Sequence, residues 1–400
     1  MENVFDLAVI GAGASGLTAA AVAAENGLSV LLLDNAETPA KKVMISGGGK
    51  CNFTNKFVSP DHYLSKNPHF CKSALARLKP DDVLAAFKNA GIPFSEREDG
   101  KFFANSAENV RNHLLSRAKK AGALFRFKED ILNLEPLNAG FRISCKTQTV
   151  NAAKVLVSTG SPACPAAGGN SFGFKLAKKL SINVIAPEPA LVPLRFPENP
   201  LVDFSGLAGI SLDVKIKCSK KSCSAPLLFT HKGISGPAVL TASLYHDGAA
   251  PLSIDFFPEG SLAAHLKTLK ENKDKRKISS VLCDFFPQRL ALRFAALLPD
   301  EKKSAPLAEI PDKLFFKLEN TLKNFPFPFA GTEGFEKAEV AKGGIDTKEI
   351  NSATMESERV PGLYFSGEVL DVTGEVGGYN LHWAWASGTA AAFGVLKSLR

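Results

Sequence analysis

No two cysteines of this 400-residue chain are spaced as CxxC. The seven present, Cys51, Cys71, Cys145, Cys164, Cys218, Cys223 and Cys283, are odd in number and scattered. That excludes a disulfide framework and a zinc site, so no metal is expected and a reducing compartment is. No stretch approaches the ~20 uninterrupted apolar residues of a membrane span. The first apolar run has no basic stretch before it and is broken by glycines at once, unlike a signal peptide. A cytoplasmic protein is the expectation. Internal repeats and low-complexity tracts are also absent. The charge excess is only +8, from 48 Lys+Arg against 40 Asp+Glu. It favours anionic ligands, and with no aromatic partners beside the basic run Lys273–Lys277, nucleic-acid binding is not expected.

What is present reads as globular. The length predicts two or three domains, since one core seldom exceeds about 250 residues. Val4 to Ile10 is a continuous apolar run with one Asp, as in a parallel strand buried on both faces. An alanine-rich helical segment, Leu17 to Asn26, ends at Gly27, and Leu28 to Leu33 is a second buried strand closing at Asp34. Asp81 to Asn89 has a helical pattern. Phe125 to Ile131 and Phe141 to Cys145 predict strands of a small antiparallel layer, and Val155 to Gly160 another buried strand with its turn. Five prolines between Pro187 and Pro200 mark a boundary with edge strands. Leu212 to Cys218 and Leu252 to Phe257 read as strands. Helical periods follow at Leu262, Leu266, Leu269, then Leu290, Phe294, Leu297, then Leu314, Phe315, Leu318. Buried-strand texture returns from Ala338, with Gly362 to Gly367 followed by a helical tail from Leu381. The expectation is an α/β fold: a doubly wound, Rossmann-type domain in residues 1–188 and 338–400, with residues 189–337 inserted.

The chemistry starts at Gly11-Ala12-Gly13-Ala14-Ser15-Gly16. Gly11 permits the tight turn, Gly13 lets backbone approach a pyrophosphate, and Gly16 lets helix and strand pack closely. The helix N-terminus offers free N–H groups to phosphates. Asp34, 18 residues past Gly16, stands where a carboxylate accepts ribose hydroxyls. NAD and FAD share this fingerprint. Three consecutive glycines, Gly47 to Gly49, then precede Lys50 and expose several backbone N–H groups to a ring edge or a phosphate. The segment is no P-loop, because Met44 stands where GxxxxGK needs glycine. Downstream, Gly367-Glu368 and Asp371 end a buried strand, where the acids can meet a ribityl chain. Gly377-Gly378 then opens a helix whose N–H dipoles can face a flavin N1/O2 edge.

Ile45-Ser46-Gly47-Gly48-Gly49-Lys50-Cys51-Asn52 resembles a signature of the HI0933-like (YhiN/BaiN-like) flavoprotein family. Leu228 to Pro237, Ala341 to Ile345 and Gly362 to Gly388 resemble three further blocks of it, so the similarity spans nearly the whole chain. The resemblance implies FAD, a cofactor domain in two sequence pieces, and an insert made of a β-barrel and a helical part. It implies cofactor contacts at Gly11, Gly13, Ala14, Ser15, Gly16, Asp34, Lys41, Lys42, Ser46, Gly48, Gly49, Asn52, Ile131, Thr159, Gly160, Gly367, Glu368, Asp371, Gly378, Tyr379, Asn380 and Leu381. Departures from the family pattern are Ala40, Lys50, Ser161, Cys164, Ser171 and Phe172, where Gly, Arg, Gly, Tyr, Gly and Asp are usual.

The leading expectation is an oxidoreductase moving a hydride between a small or steroid-like organic substrate and flavin N5, with the substrate between domain and insert. A single GxGxxG leaves no nicotinamide domain, so either NAD(P)H docks transiently or another carrier closes the cycle. An NAD-dependent two-domain dehydrogenase and a non-catalytic FAD redox sensor remain as alternatives. The candidate acid is His231, which either faces the flavin or caps its glycine-rich turn. Cys51 is not expected to form a redox disulfide, and His382, Trp383 and Trp385 are expected to pack the last helix.

Overall fold

In a computed structural model the described residues are 4–198, 200, 202–218, 221–246 and 251–400. They form two compact units, one taking residues up to 190 and again from 335 to the end, the other residues 191–334. Composition had put the first boundary at 188/189 and the second at 337/338.

The first unit is built on five parallel strands: Leu124–Arg126, Val30–Leu33, Val4–Ile10, Thr149–Val157 and Leu363–Phe365, side by side in that order. Their interior residues are apolar on both faces, and Leu7, Leu31, Leu32, Val155, Leu156 and Phe365 are fully buried. The registers Arg126↔Leu33, Leu33↔Ile10, Ile10↔Val157 and Val157↔Phe365 bring all five carboxyl ends level along one edge. The start of Thr149–Val157 also pairs antiparallel with Gly140–Cys145, which forms a hairpin with Ile131–Leu137.

One expectation is corrected here. Phe125 to Ile131 is not one strand of an antiparallel layer. Leu124–Arg126 is the parallel edge strand of the main sheet, and Ile131 begins the hairpin. Between them Lys128 takes a positive φ of 58°. The nearly buried Glu129 carboxylate accepts hydrogen bonds from the Thr147 N–H and Oγ, tying the bend to the hairpin's far side. The bend falls in the charged run Lys128-Glu129-Asp130, which separates the two strands.

The helix Ala14–Glu25 begins a turn earlier than its apolar pattern suggested and is buried along nearly its whole length. It packs against the C-terminal helix Tyr379–Leu399, and small residues set their separation. A Cβ on Gly388 would lie 2.5 Å from the Ser15 carbonyl oxygen.

The second unit holds a six-stranded sheet ordered Leu194–Arg195, Gly233–Ser235, Lys221–Phe229, Ser211–Cys218, Leu252–Asp255 and Phe325–Phe327, antiparallel throughout. The chain leaving the last strand returns to the first through a bridge between Thr332 and Leu194. Helices Leu262–Glu271, Gln288–Ala295 and Asp312–Lys323 bury Leu266, Phe294, Phe315 and Leu318 in its core.

Candidate cofactor site

Four of the segments singled out by sequence leave the level edge of the parallel sheet. The glycine turn follows Ile10, Asp34 follows Leu33, Thr159-Gly160 lies just past Val157, and Gly367-Glu368 just past Phe365. In open parallel sheets this carboxyl edge is where ligands bind.

Within the turn the three glycines do different work. A Cβ on Gly11 would meet the Ser158 carbonyl oxygen at 2.6 Å, at a φ of 106°. On Gly16 it would meet the Gly11 carbonyl oxygen at 1.9 Å, so helix and turn could not close. On Gly13 it would meet only the Ser158 oxygen at 4.0 Å, which leaves the space above Gly13 open. Because Gly13 is the N-cap, the first N–H groups of the helix, from Ala14, Ser15 and Gly16, have no partner within it. The Ser15 hydroxyl is engaged, donating to Ser366 Oγ at 2.7 Å. Asp34 is half-buried and accepts from the Ala12 N–H (2.5 Å) and the Ala36 N–H (2.7 Å), which aims the carboxylate across the turn.

Lys42 and Glu368 form an ion pair, Nζ to Oε2 2.8 Å. Glu368 Oε1 also accepts from Ser161 Oγ at 2.5 Å and from the Ala341 N–H at 3.2 Å. One carboxylate thus ties four separate segments together, and Ser161, a departure from the family pattern, supplies a donor that glycine could not. Ala40, another departure, takes a φ of 55° before the helix Lys41–Ile45, and its N–H donates to the Ala12 carbonyl. Lys41 is half-buried at the first position of that helix. The Ser46 hydroxyl is spent on the Val43 carbonyl. Gly48 and Gly49 are exposed, with positive φ and nothing within 4 Å of where a Cβ would stand. Gly160 has the same open surroundings, and Thr159 Oγ1 beside it is buried with no hydrogen-bond partner among the described residues.

At the far end the helix Tyr379–Leu399 starts at the N-cap Gly378. The Gly378 N–H is taken, donating to the Asn52 side-chain carbonyl at 3.1 Å, so the N–H groups of Tyr379, Asn380 and Leu381 are the ones the helix leaves over. Asn380 braces the approach by accepting from the Gly374 N–H (2.8 Å) and donating to its carbonyl (2.9 Å). Asp371 is buried and accepts from the Lys66 N–H at 2.8 Å, and burial pushes its carboxyl above the ordinary range. Trp383 and Trp385 donate their indole N–H groups to the carbonyls of Gly367 and Phe53. His382 is fully buried between Thr54 Oγ1 (2.8 Å) and the Leu78 carbonyl (3.0 Å), and burial lowers its pKa to about 4. All three residues pack the last helix.

Ile131 opens the hairpin strand beyond Lys128. His231 belongs to the second unit and is exposed beside a recess of about 310 Å³ lined also by Phe196, Phe204 and Thr230. Its turn is capped by Thr230 Oγ1, which accepts from the N–H groups of Lys232 and Gly233, not by the histidine. Sequence reading did not single out His62 or Glu375, whose side chains pair at 2.8 Å beside Tyr379. They stand 313 positions apart, and no local pattern connects them.

The arrangement fits a dinucleotide. Unpartnered helix-start N–H groups, open space over Gly13, an orphaned Thr159 hydroxyl, exposed glycines at 48 and 49 and a half-buried one at 160 meet the same requirement for an extended phosphate-bearing ligand. A family model described as the HI0933-like protein Rossmann domain matches residues 5–394. The chain is 39% identical over 405 residues to a ribosomal RNA dihydrouridine synthase of Haemophilus influenzae, covering 99% of this chain and 98% of that one. It is 38% identical over 390 residues to a ribosomal RNA dihydrouridine synthase of Escherichia coli, covering 97% of each. It is 29% identical over 403 residues to a 3-dehydro-bile acid delta(4,6)-reductase of Clostridium scindens, covering 96% and 97%. Among the described residues no helix is long and apolar enough to cross a membrane.

Proposed function

This chain belongs to the HI0933-like family and carries its Rossmann-type FAD-binding domain, and on that premise we propose that it is a FAD-dependent reductase of a uridine in ribosomal RNA. The observation that carries the cofactor half is the level edge where the glycine turn, Asp34, Thr159-Gly160 and Gly367-Glu368 emerge together. The substrate half rests on two relatives at 38% and 39% identity over nearly the full length.

The two kinds of relative share a chemistry. Dihydrouridine is uridine with hydrogen added across C5=C6, a double bond conjugated to a carbonyl, and the named bile-acid reductase also saturates double bonds. Bound at this edge and reduced, FAD supplies a hydride to such a polarised carbon. The protein's own part is positional. The N–H groups of Ala14 to Gly16 hold the pyrophosphate, and Asp34 accepts from the adenosine ribose. Lys42, fixed by Glu368, brings a cation to the sheet edge. The leftover N–H groups of Tyr379 to Leu381 stabilise negative charge at the flavin pyrimidine edge. Ribosomal RNA as substrate departs from the composition, which gave no sign of nucleic acid.

The test is direct. Ribosomal RNA from cells lacking the gene is digested to nucleosides and compared with wild type by mass spectrometry, and the purified protein's cofactor is released by heat and identified. Loss of dihydrouridine from the RNA, restored by the gene, supports the proposal. Unchanged dihydrouridine, or a protein that stays colourless after incubation with FAD, overturns it.

A further inference from the structure

The short strand Tyr63–Leu64 pairs antiparallel with Thr373–Gly374, so His62 and Glu375 sit at the same end of one two-stranded ribbon. The Glu375 N–H donates to the His62 carbonyl at 3.0 Å, and His62 Nδ1 lies 2.8 Å from Glu375 Oε2. The imidazole stacks on the Tyr379 ring, centroids 4.5 Å apart and planes 19° from parallel. Tyr379 is in turn fixed because its carbonyl accepts from the Tyr63 hydroxyl at 2.9 Å. Ring and carboxylate are therefore mounted on elements that also carry Gly377, Gly378 and the start of the C-terminal helix.

A carboxylate at Nδ1 makes that nitrogen the N–H donor and leaves Nε2 as the nitrogen that gains and loses a proton. It also stabilises the imidazolium once formed. The His62 side chain keeps 29% of its surface and that of Glu375 only 12%, so the ring is reachable and its partner is shielded. Among the described residues nothing hydrogen-bonds Nε2. Nearby alternatives are unsuited. The Tyr379 phenol is pushed up to about 12, chiefly by burial and then by Glu375 and Asp99, so it stays protonated through the neutral range. His382 is buried with both ring nitrogens engaged.

We infer that His62, positioned by Glu375, is the proton donor of the cofactor site. This rests on the reductase reading above. Reduction of a conjugated C=C needs a hydride and a proton. The hydride's electron pair forms a C–H bond at the carbon β to the carbonyl, the π bond breaks, and charge moves to the carbonyl oxygen and the α carbon. His62 then breaks its Nε2–H bond and protonates the α carbon, becoming neutral imidazole, and solvent restores its proton. The two-electron donor is reduced FAD, recharged by a reduced nicotinamide.

The experiment uses the FAD-loaded protein. Single-turnover reduction of an unmodified ribosomal RNA transcript, after anaerobic reduction with dithionite, is followed for wild type, His62→Gln and Glu375→Gln, with the His62 ring nitrogens and their tautomer read by 15N NMR. For His62→Gln the expected result is a fall of roughly 10²-fold, with partial rescue by added imidazole. Glu375→Gln should lower the rate and move the Nδ1 signal, with FAD content unchanged. A wild-type rate in His62→Gln overturns the inference. If wild type reduces no RNA, the substrate reading fails, and the pair is then judged by the ring. A His62 spectrum in which Nδ1 carries no proton overturns it, and an Nδ1–H signal that Glu375→Gln moves supports it.

Discussion

Lys42 and Glu368, 326 positions apart, meet at 2.8 Å on the edge where the cofactor segments emerge. Because Glu368 also accepts from Ser161 and the Ala341 N–H, removing it strands a cation and two donors at once.

Glu368→Ala is therefore expected to lower stability by roughly 2 kcal/mol, and Glu368→Gln by less, since the amide oxygen still accepts from Ser161. Both side chains keep some exposure, 29% and 19%, so the loss stays well short of that for a fully buried pair. Urea denaturation of the cofactor-free proteins measures this. Equal stability of Glu368→Ala and wild type would show that the four-segment junction contributes nothing.

The cofactor half of the site was legible because its signals are local. Glycines at 11, 13 and 16, an apolar strand before them and Asp34 after the next strand all lie within about one βαβ unit. Glu368 and Lys42 were each singled out, but not as partners, because an ion pair joining residues 42 and 368 leaves no spacing to read. The same holds for His62 and Glu375, brought together by strands of two residues each, too short for any periodicity. Leu124–Arg126 was misassigned for a different reason. The charged run Lys128-Glu129-Asp130 marked the break, but which strand Leu124–Arg126 joins is set by its pairing with the distant Val30–Leu33.

Acid should weaken the protein through His382. The folded state holds this ring neutral, with a pKa of about 4 against the ordinary 6.5, because burial disfavours the charged form. Between those values the unfolded chain binds more protons than the folded one, so stability rises with pH across the window. The contribution is complete above pH 6.5 and lost as pH falls to about 4, a span of roughly 3 kcal/mol. Urea midpoints from pH 7.5 down to 4 should fall more steeply for wild type than for His382→Gln. Parallel curves would refute the assignment.

Thiol reactivity should follow burial. Cys51, Cys71 and Cys145 are buried, and burial pushes each thiol up to about 11. Cys283 is exposed and Cys164 half-buried. A brief maleimide treatment of native protein, read by peptide mass spectrometry, should modify Cys283 first and leave Cys51 intact until denaturation. Labelling of Cys51 as fast as Cys283 would reopen a redox role beside the triple-glycine turn.

The glycine turn offers the sharpest separation of fold from function. A methyl on Gly16 would lie 1.9 Å from the Gly11 carbonyl oxygen and 2.5 Å from Ser158 Oγ. The first contact is with backbone, which a side-chain rotation cannot relieve, so Gly16→Ala should cost at least roughly 3 kcal/mol whether or not cofactor is present. Gly13 is different. Its φ of −77° and ψ of −173° suit any residue, and an added Cβ would find only one atom, at 4.0 Å. Gly13→Ala should therefore leave the cofactor-free protein within about 1 kcal/mol of wild type. The space it fills is the one through which a pyrophosphate reaches the N–H groups of Ala14 to Gly16, so FAD affinity should fall by roughly 10²-fold or more. Thermal melts without cofactor, paired with FAD titrations by flavin fluorescence, check both halves. A Gly13→Ala protein that binds FAD like wild type would mean that the dinucleotide does not cross this turn. A cofactor-free melt that collapses would mean that Gly13, like Gly16, serves the fold.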